Sequence, residues 1–202
     1  MEKKKVHISY CWKEPSNGIV CNWLLPSLTV AGIDCVLDKE DCGYNEDIVN
    51  FEEEIGRGAQ VVMVIGKEYL SSFGCMYEAA SIVKNGNLHD RLRIVCLDDF
   101  NKHEDIYYQQ VVDYWINKMR SKKDLADKML PPANQVLMEE FNRLVLIIEN
   151  IGKLWQVIRN QNTLTFSDIS KDSFKLLVQY INGGIVFPNI DKPTTSLDVE
   201  EP

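Results

Sequence analysis

Residues 60–65 read QVVMVI, a glutamine followed by five apolar residues, most of them β-branched. An apolar run without polar alternation is typical of a strand in a parallel sheet that helices cover on both faces. Similar short runs occur at 6–10 (VHISY), 34–37 (DCVL) and 93–97 (RIVCL), and helical patterns separate them. Strands that alternate with helices at this spacing predict a doubly wound α/β fold with a parallel sheet.

Helical patterns connect these strands in the first half of the chain. The segment 19–31 is predicted to be a helix that Pro26 must bend or split and that Gly32 ends. A second helix is predicted at 48–58, after a polar loop, with Asn45 as its candidate N-cap.

Beyond residue 99 the pattern becomes helical. Apolar residues recur every three or four positions over 104–120 and 134–158. The second segment forms one helix, or two if Gly152 breaks it. A last helix is predicted at 170–182, capped by Ser170 and stopped by the glycines that follow.

These patterns predict one domain rather than several. Residues 1–187 form the domain, with a core at 5–120 and a helical portion at 121–187. Residues 188–202 are acidic and contain prolines, so we expect a flexible tail there. The tryptophans Trp115 and Trp155 lie on apolar helix faces and are interpreted as core residues.

Composition excludes several classes of function. The chain has 202 residues, is 45% hydrophobic and 26% charged, and has a net charge of -8, which argues against nucleic acid as a partner. No apolar run reaches the ~20 residues of a membrane span, and no apolar stretch follows the opening MEKKK. The six cysteines occur singly, which predicts neither a disulfide framework nor a metal site. We therefore expect a reduced, cytoplasmic protein.

The topology indicates where a ligand binds. Ligands of open parallel sheets bind at the carboxyl ends of the strands, where the strand order reverses. If the second and third strands pair on opposite sides of the first, that crevice lies between the first and third strands. The residues to consider at these strand ends are Ser9, Tyr10, Trp12, Asp38, Tyr69, Ser71, Ser72 and Glu78. The sequence contains neither a phosphate-binding glycine motif nor an HExxH or GxSxG motif.

Three ordered blocks resemble the Toll/interleukin-1 receptor (TIR) domain family. They are VHISYCWKE at 6–14, GIDCVLDKEDCGYNEDIVNFEEEI at 32–55 and VVMVIGKEYLSSFGCMYE at 61–78. The residues that match the family pattern are Ser9, Tyr10, Asp38, Gly43, Tyr69, Leu70, Ser71, Ser72, Cys75 and Glu78. The resemblance implies a flavodoxin-like sheet of strand order 2-1-3-4, with a possible fifth strand and extra C-terminal helices.

The resemblance also implies an activity: cleavage of NAD⁺ between nicotinamide and ribose, with NAD⁺ as substrate and no cofactor. It makes Glu78 the catalytic residue. The substrate-binding residues expected around it are Ser9, Tyr10, Trp12, Asp38, Tyr44, Ser71 and Phe73. Active members often carry a tryptophan where this chain has Gly74. Basic residues of the first block are replaced by Cys11 and Trp12, so we expect phosphate contacts from Lys13, Lys39 or Lys67.

Two functions remain open at this point. The first is an NAD⁺ glycohydrolase or ADP-ribosyl cyclase. Such an enzyme either produces a diffusible signal, as in Thoeris antiphage systems, or is a subunit that a separate protein triggers. The second is a non-catalytic adaptor or virulence module, whose loop at 38–46 docks onto another TIR domain. Family members often complete their site with a neighbouring subunit, so TIR–TIR self-association is expected in either case.

Overall fold

The computed structural model describes residues 4–37, 60–99, 101–160 and 164–183. At its centre is a sheet of five parallel strands in the order β2-β1-β3-β4-β5. The strands are β1 (Lys5–Tyr10), β2 (Asp34–Leu37), β3 (Gln60–Ile65), β4 (Leu92–Cys96) and β5 (Leu164–Thr165). The predicted order 2-1-3-4 is confirmed, and a fifth strand lies at the edge beside β4.

Strand β3 occupies the middle of the sheet because both of its faces are apolar. Residues 61–65 are each 0% exposed. Met63 pairs with Ser9 of β1 on one side and with Ile94 of β4 on the other. A strand paired on both edges and covered on both faces carries no polar alternation, as the QVVMVI run predicted.

Nine α-helices lie in the described residues. They are α1 (Ser16–Ile19), α2 (Leu25–Val30), α3 (Lys67–Ser71), α4 (Phe73–Asn85), α5 (Leu88–Arg91), α6 (Asp105–Asp127), α7 (Gln135–Asn160), α8 (Phe166–Lys171) and α9 (Lys175–Ile181). Helices α3, α4, α6 and α7 cover one face of the sheet, and α2, α8 and α9 cover the other. Each face therefore has its own apolar core, as a doubly wound sheet requires.

The first helical segment accommodates its proline through a change of winding. A π-helical turn, Val20–Leu24, joins α1 to α2, and the N–H of Leu25 donates to the carbonyl of Val20. Pro26 lies in the first turn of α2, where its missing N–H is tolerated. The chain thus stays helical through the proline. Gly32 ends the segment as predicted, with a φ of +79°.

The last predicted helix, 170–182, is in fact two helices. Ser173 and Phe174 adopt φ angles of +58° and +63°, which interrupt the helical path between α8 and α9. Ser170 lies inside α8 and donates its hydroxyl to the carbonyl of Ser167. The prediction that Ser170 caps the last helix is therefore wrong.

Asp172 supplies a hydrogen-bond acceptor at the start of α9 instead, because its Oδ2 accepts the N–H of Leu176 at 3.2 Å. Replacing Asp172 with alanine is expected to lower the free energy of unfolding by about 1 kcal/mol, since a first-turn N–H loses its acceptor. The matched variant Ser170→Ala is expected to change it by less than about 0.5 kcal/mol. Urea denaturation of both variants measures the difference, and equal losses would contradict this account.

The helical portion after β4 is built on two long helices, α6 and α7. Helix α7 passes through Gly152 without a break, which confirms the one-helix alternative. At Gly152 an added Cβ would lie 3.5 Å from the hydroxyl of Tyr108 on α6, so the two helices approach closely there. Trp115 and Trp155 are 0% and 4% exposed, which confirms them as core residues.

Some predictions fall outside the described residues, namely the helix at 48–58 with its Asn45 cap and the tail at 188–202. Within the described ranges, no helix combines the length and the apolar composition that crossing a membrane requires.

Candidate functional site

The candidate site lies where the carboxyl ends of β1 and β3 meet. In the order β2-β1-β3, the strand that follows β1 in sequence lies on one side of β1, and the next strand, β3, lies on the other side. Loops after β1 and β3 therefore diverge and leave a crevice between these two strands. Ser9 is the penultimate residue of β1, and α3 and α4 follow directly after β3.

Glu78 is held in this crevice by Ser9. It lies in the second turn of α4 and is only 4% exposed. The Ser9 hydroxyl donates to Oε2 of Glu78 at 2.8 Å. A carboxylate removed from water needs hydrogen-bond donors to remain stable, and Ser9 supplies one across the strand–helix boundary. The predicted pair Ser9 and Glu78 is thus brought together.

Tyr69 extends the contact into a three-residue chain. Its hydroxyl lies 2.7 Å from the Ser9 hydroxyl, and its side chain is 0% exposed. A serine hydroxyl has a single proton. Because the Ser9 hydroxyl donates its hydrogen bond to Glu78, it accepts a hydrogen bond from the Tyr69 hydroxyl. Tyr69 therefore orients Ser9, and Ser9 orients Glu78. A chain of three buried side chains restricts the carboxylate to one position.

Two cysteines lie next to this chain of hydrogen bonds. Cys11 follows β1 directly, and Cys75 lies one helical turn before Glu78 on α4. The Cys75 thiol donates to the carbonyl of Tyr10 at 3.6 Å, and the influence of Cys75 lowers the pKa of Cys11 to about 6. Both side chains are buried.

The rim of the crevice carries aromatic and charged residues. Trp12 is 46% exposed, so its ring is accessible beside the site. The ammonium of Lys13 lies 3.4 Å from Glu68 Oε2 in an exposed ion pair. Such a pair contributes little to stability, so Lys13 is readily released to an anionic ligand. Lys67 donates its backbone N–H to the carboxylate of Asp99 at 3.3 Å.

Three other predicted residues have contacts with residues other than Glu78. Tyr10 is 2% exposed, and its side chain belongs to the core on the face of the sheet opposite to Ser9. Ser71 is exposed and donates its hydroxyl to the carbonyl of Glu68. Phe73 packs toward Trp115, with ring centroids 6.4 Å apart. The observed contacts of these residues are structural, and their substrate-binding roles stay predictions.

The remaining predicted residues, Asp38, Tyr44 and Lys39, lie outside the described residues. Metal ligation finds no support in the part of the chain that the structure describes, where no three His, Cys, Asp or Glu side chains converge on one point.

Sequence reasoning missed the cluster that supports the start of α4. The Trp115 indole N–H donates to the carbonyl of Leu70 at 2.9 Å, and the Tyr114 hydroxyl donates to the carbonyl of Ser71. The ammonium of Lys118 lies 4.9 Å from the centroid of the Trp115 ring. These contacts join α6 to the junction of α3 and α4. The spacing of Tyr114 and Lys118, four residues apart on one helix, is the signal that was available.

Comparisons with known proteins agree with the fold. The family model described as the TIR domain matches residues 6–130, which is more than half of the chain. No curated protein matches. Among solved structures, the chain is similar to the TIR domains in the structure of the activated Roq1 resistosome directly recognizing the pathogen effector XopQ. The TM-score is 0.55 at 16% identity, over 91% of this chain and 100% of that chain.

At that identity the structural likeness establishes the fold alone. The family model adds a match that runs from β1 through α6 and includes Ser9, Tyr69, Cys75 and Glu78. On these grounds the chain belongs to the TIR domain family.

Proposed function

We propose that the protein cleaves NAD⁺ between nicotinamide and ribose, with Glu78 as the catalytic residue. The observation that carries the proposal is the hydrogen bond from Ser9 to Oε2 of Glu78, which fixes a buried carboxylate at the carboxyl ends of β1 and β3. A carboxylate on a surface helix would be solvated and mobile. This one is almost fully removed from water and is held by a residue of another element.

The chemistry of the bond suits a single carboxylate. Nicotinamide leaves as a neutral molecule because the bonding electrons neutralise the pyridinium, so no general acid is needed. The ribosyl carbon develops positive charge, as in glycoside hydrolysis. A carboxylate placed beside that charge stabilises the transition state more than the ground state, and it does so most strongly where water is excluded. Glu78 supplies this field.

Residues at the rim provide binding for the rest of the substrate. The exposed ring of Trp12 suits the cationic nicotinamide, which an aromatic face attracts. Lys13 suits the diphosphate, because its ammonium is already exposed and only loosely paired with Glu68. We retain Ser71, Phe73, Asp38 and Tyr44 as further candidates.

The attacking nucleophile sets the product. Water gives ADP-ribose, and a nitrogen or hydroxyl of the same molecule gives a cyclic isomer. We propose a role in antiphage signalling of the Thoeris type, with self-association of TIR domains completing the site. The similar fold of TIR domains that are part of an activated resistosome supports assembly as the trigger.

The test is to incubate NAD⁺ with concentrated and with dilute protein, and to separate the products by chromatography and mass spectrometry. The expected result is release of nicotinamide, at a rate per molecule that rises with protein concentration. The other product distinguishes the two reactions, because a cyclic product lacks the water that hydrolysis adds. The variant Glu78→Ala is the control. Intact NAD⁺ at every protein concentration would reject the proposal and favour a non-catalytic adaptor.

A further inference from the structure

We propose that the solvent-facing side of the first helical segment is a docking surface for residues 185–187 of the same chain, which read IVF. The surface consists of Trp23, Pro26 and Val30, and we call it the uncharged surface. It belongs to the helices on the face of the sheet opposite to the candidate site. The inference is therefore independent of the proposed NAD⁺ cleavage.

The first ground is the exposure of these apolar side chains. Trp23 is 59% exposed and Val30 is 90% exposed, and Pro26 is exposed between them. Their spacing of three and four residues places them along one side of a helix. Single exposed apolar residues are normal on a protein surface, whereas a continuous row of them marks a place where another segment or molecule binds.

The second ground is the absence of charge around this row. Residues 15–33 contain no lysine, arginine, aspartate or glutamate, although the whole chain is 26% charged. Helix α6, by contrast, carries lysines and aspartates along its exposed side. Loss of charged residues together with an exposed tryptophan distinguishes a contact surface from an ordinary solvated one.

The third ground is the place where the described chain ends. Helix α9 ends at Ile181, whose carbonyl accepts the ammonium of Lys4 at 3.0 Å. The carbonyl of Lys4 in turn accepts the N–H of Asp34, the first residue of β2, at 2.9 Å. Since Val30 ends α2 four residues before Asp34, α2 and α9 end at the same edge of the sheet. The chain that follows α9 therefore starts close to the uncharged surface.

The fourth ground is the composition of the chain that follows. Residues 184–202 lie outside the described residues, and they begin with GIVF, whereas apolar residues occur only singly in 188–202. An extended chain advances about 3.3 Å per residue, so Phe187 can lie up to about 20 Å from Ile181. Transfer of three large apolar side chains from water onto an apolar surface is favourable. The acidic remainder of the chain would meet no positive charge there.

The experiment is hydroxyl-radical footprinting of the full chain, with oxidation of each tryptophan measured by mass spectrometry. Trp12 is the internal reference, because its exposed fraction of 46% is close to that of Trp23. The expected result is that Trp23 is oxidised at least about threefold more slowly than Trp12, since a segment packed on the ring excludes water from it.

Two variants test which segment covers Trp23. Phe187→Ser is expected to raise the oxidation rate of Trp23 to that of Trp12. Leu197→Ser, a matched change farther along the same stretch, is expected to leave it unchanged. Equal rates at Trp23 and Trp12 in the natural protein would overturn the proposal, and so would protection of Trp23 that survives Phe187→Ser. Protection that increases with protein concentration would assign the surface to a second copy and would overturn it as well.

Discussion

Replacing Glu78 with glutamine is expected to lower kcat for NAD⁺ cleavage about a thousandfold and to change KM by less than about threefold. Glutamine has the shape of glutamate, and its amide oxygen still accepts the hydroxyl of Ser9. The substitution therefore removes the negative charge and leaves the position of the side chain. Loss of a group that acts only on the developing charge of the ribosyl carbon lowers kcat and leaves KM nearly unchanged.

Release of nicotinamide over a range of NAD⁺ concentrations gives both constants. The matched control is Glu149→Gln, an exposed glutamate on α7, which is expected to retain the activity of the natural protein. Tyr69→Phe and Ser9→Ala separate charge from position: both keep Glu78 but loosen its orientation, so they are expected to lower kcat about tenfold. If kcat of the Glu78→Gln variant were within tenfold of that of the natural protein, Glu78 would not be the catalytic residue.

Replacing Trp115 with alanine is expected to lower the free energy of unfolding by about 3–5 kcal/mol. Its side chain is 0% exposed, and its indole N–H donates to the carbonyl of Leu70 at 2.9 Å. Alanine would leave a large cavity between α6 and the α3–α4 junction, and a buried carbonyl without its donor. The ring contacts with Phe73 and Tyr114, at centroid distances of 6.4 Å and 5.1 Å, would be lost as well.

Urea denaturation followed by circular dichroism measures this loss. Trp115→Phe keeps an aromatic ring and removes the N–H donor, so its expected loss is smaller, about 1–3 kcal/mol. Ile106→Ala is the control on the same helix, because Ile106 is 65% exposed and its truncation is expected to cost less than about 0.5 kcal/mol. A loss at Trp115 no larger than that at Ile106 would show that this contact contributes nothing to stability.

The sheet was predictable because its signals are local. An apolar run such as QVVMVI, rich in β-branched residues, predicts a buried strand, and alternation with helices predicts a parallel sheet. The order of the strands came from the family resemblance. Strand β5 was not located because two residues, Leu164–Thr165, carry no periodicity. The break between α8 and α9 was not predicted because it occurs at Ser173 and Phe174, which take positive φ without a glycine or proline to indicate it.

The site was predictable in part. The family resemblance made Glu78 the candidate catalytic residue, which stays a prediction, and the position of Ser9 at the end of a strand predicted that it lies in the same crevice as Glu78. The alternation of a strand shows why Tyr10 does not join them: successive side chains point to opposite faces, so Ser9 and Tyr10 do not both face α4. The hydrogen bond from the Cys75 thiol to the carbonyl of Tyr10 had no local signal, since residues that are distant in sequence meet only once the sheet has formed.

Helices α7, α8 and α9 determine how long a stable fragment of this protein has to be. They supply apolar side chains to both cores, including Ile147 on one face and Leu177 on the other, each 0% exposed. The match to the TIR domain family ends at residue 130, before any of these three helices begins. A chain cut at that boundary would expose the parts of both apolar cores that these three helices cover. The family match is therefore shorter than the unit that buries both cores, and a fragment designed from the match alone would lack part of its own interior.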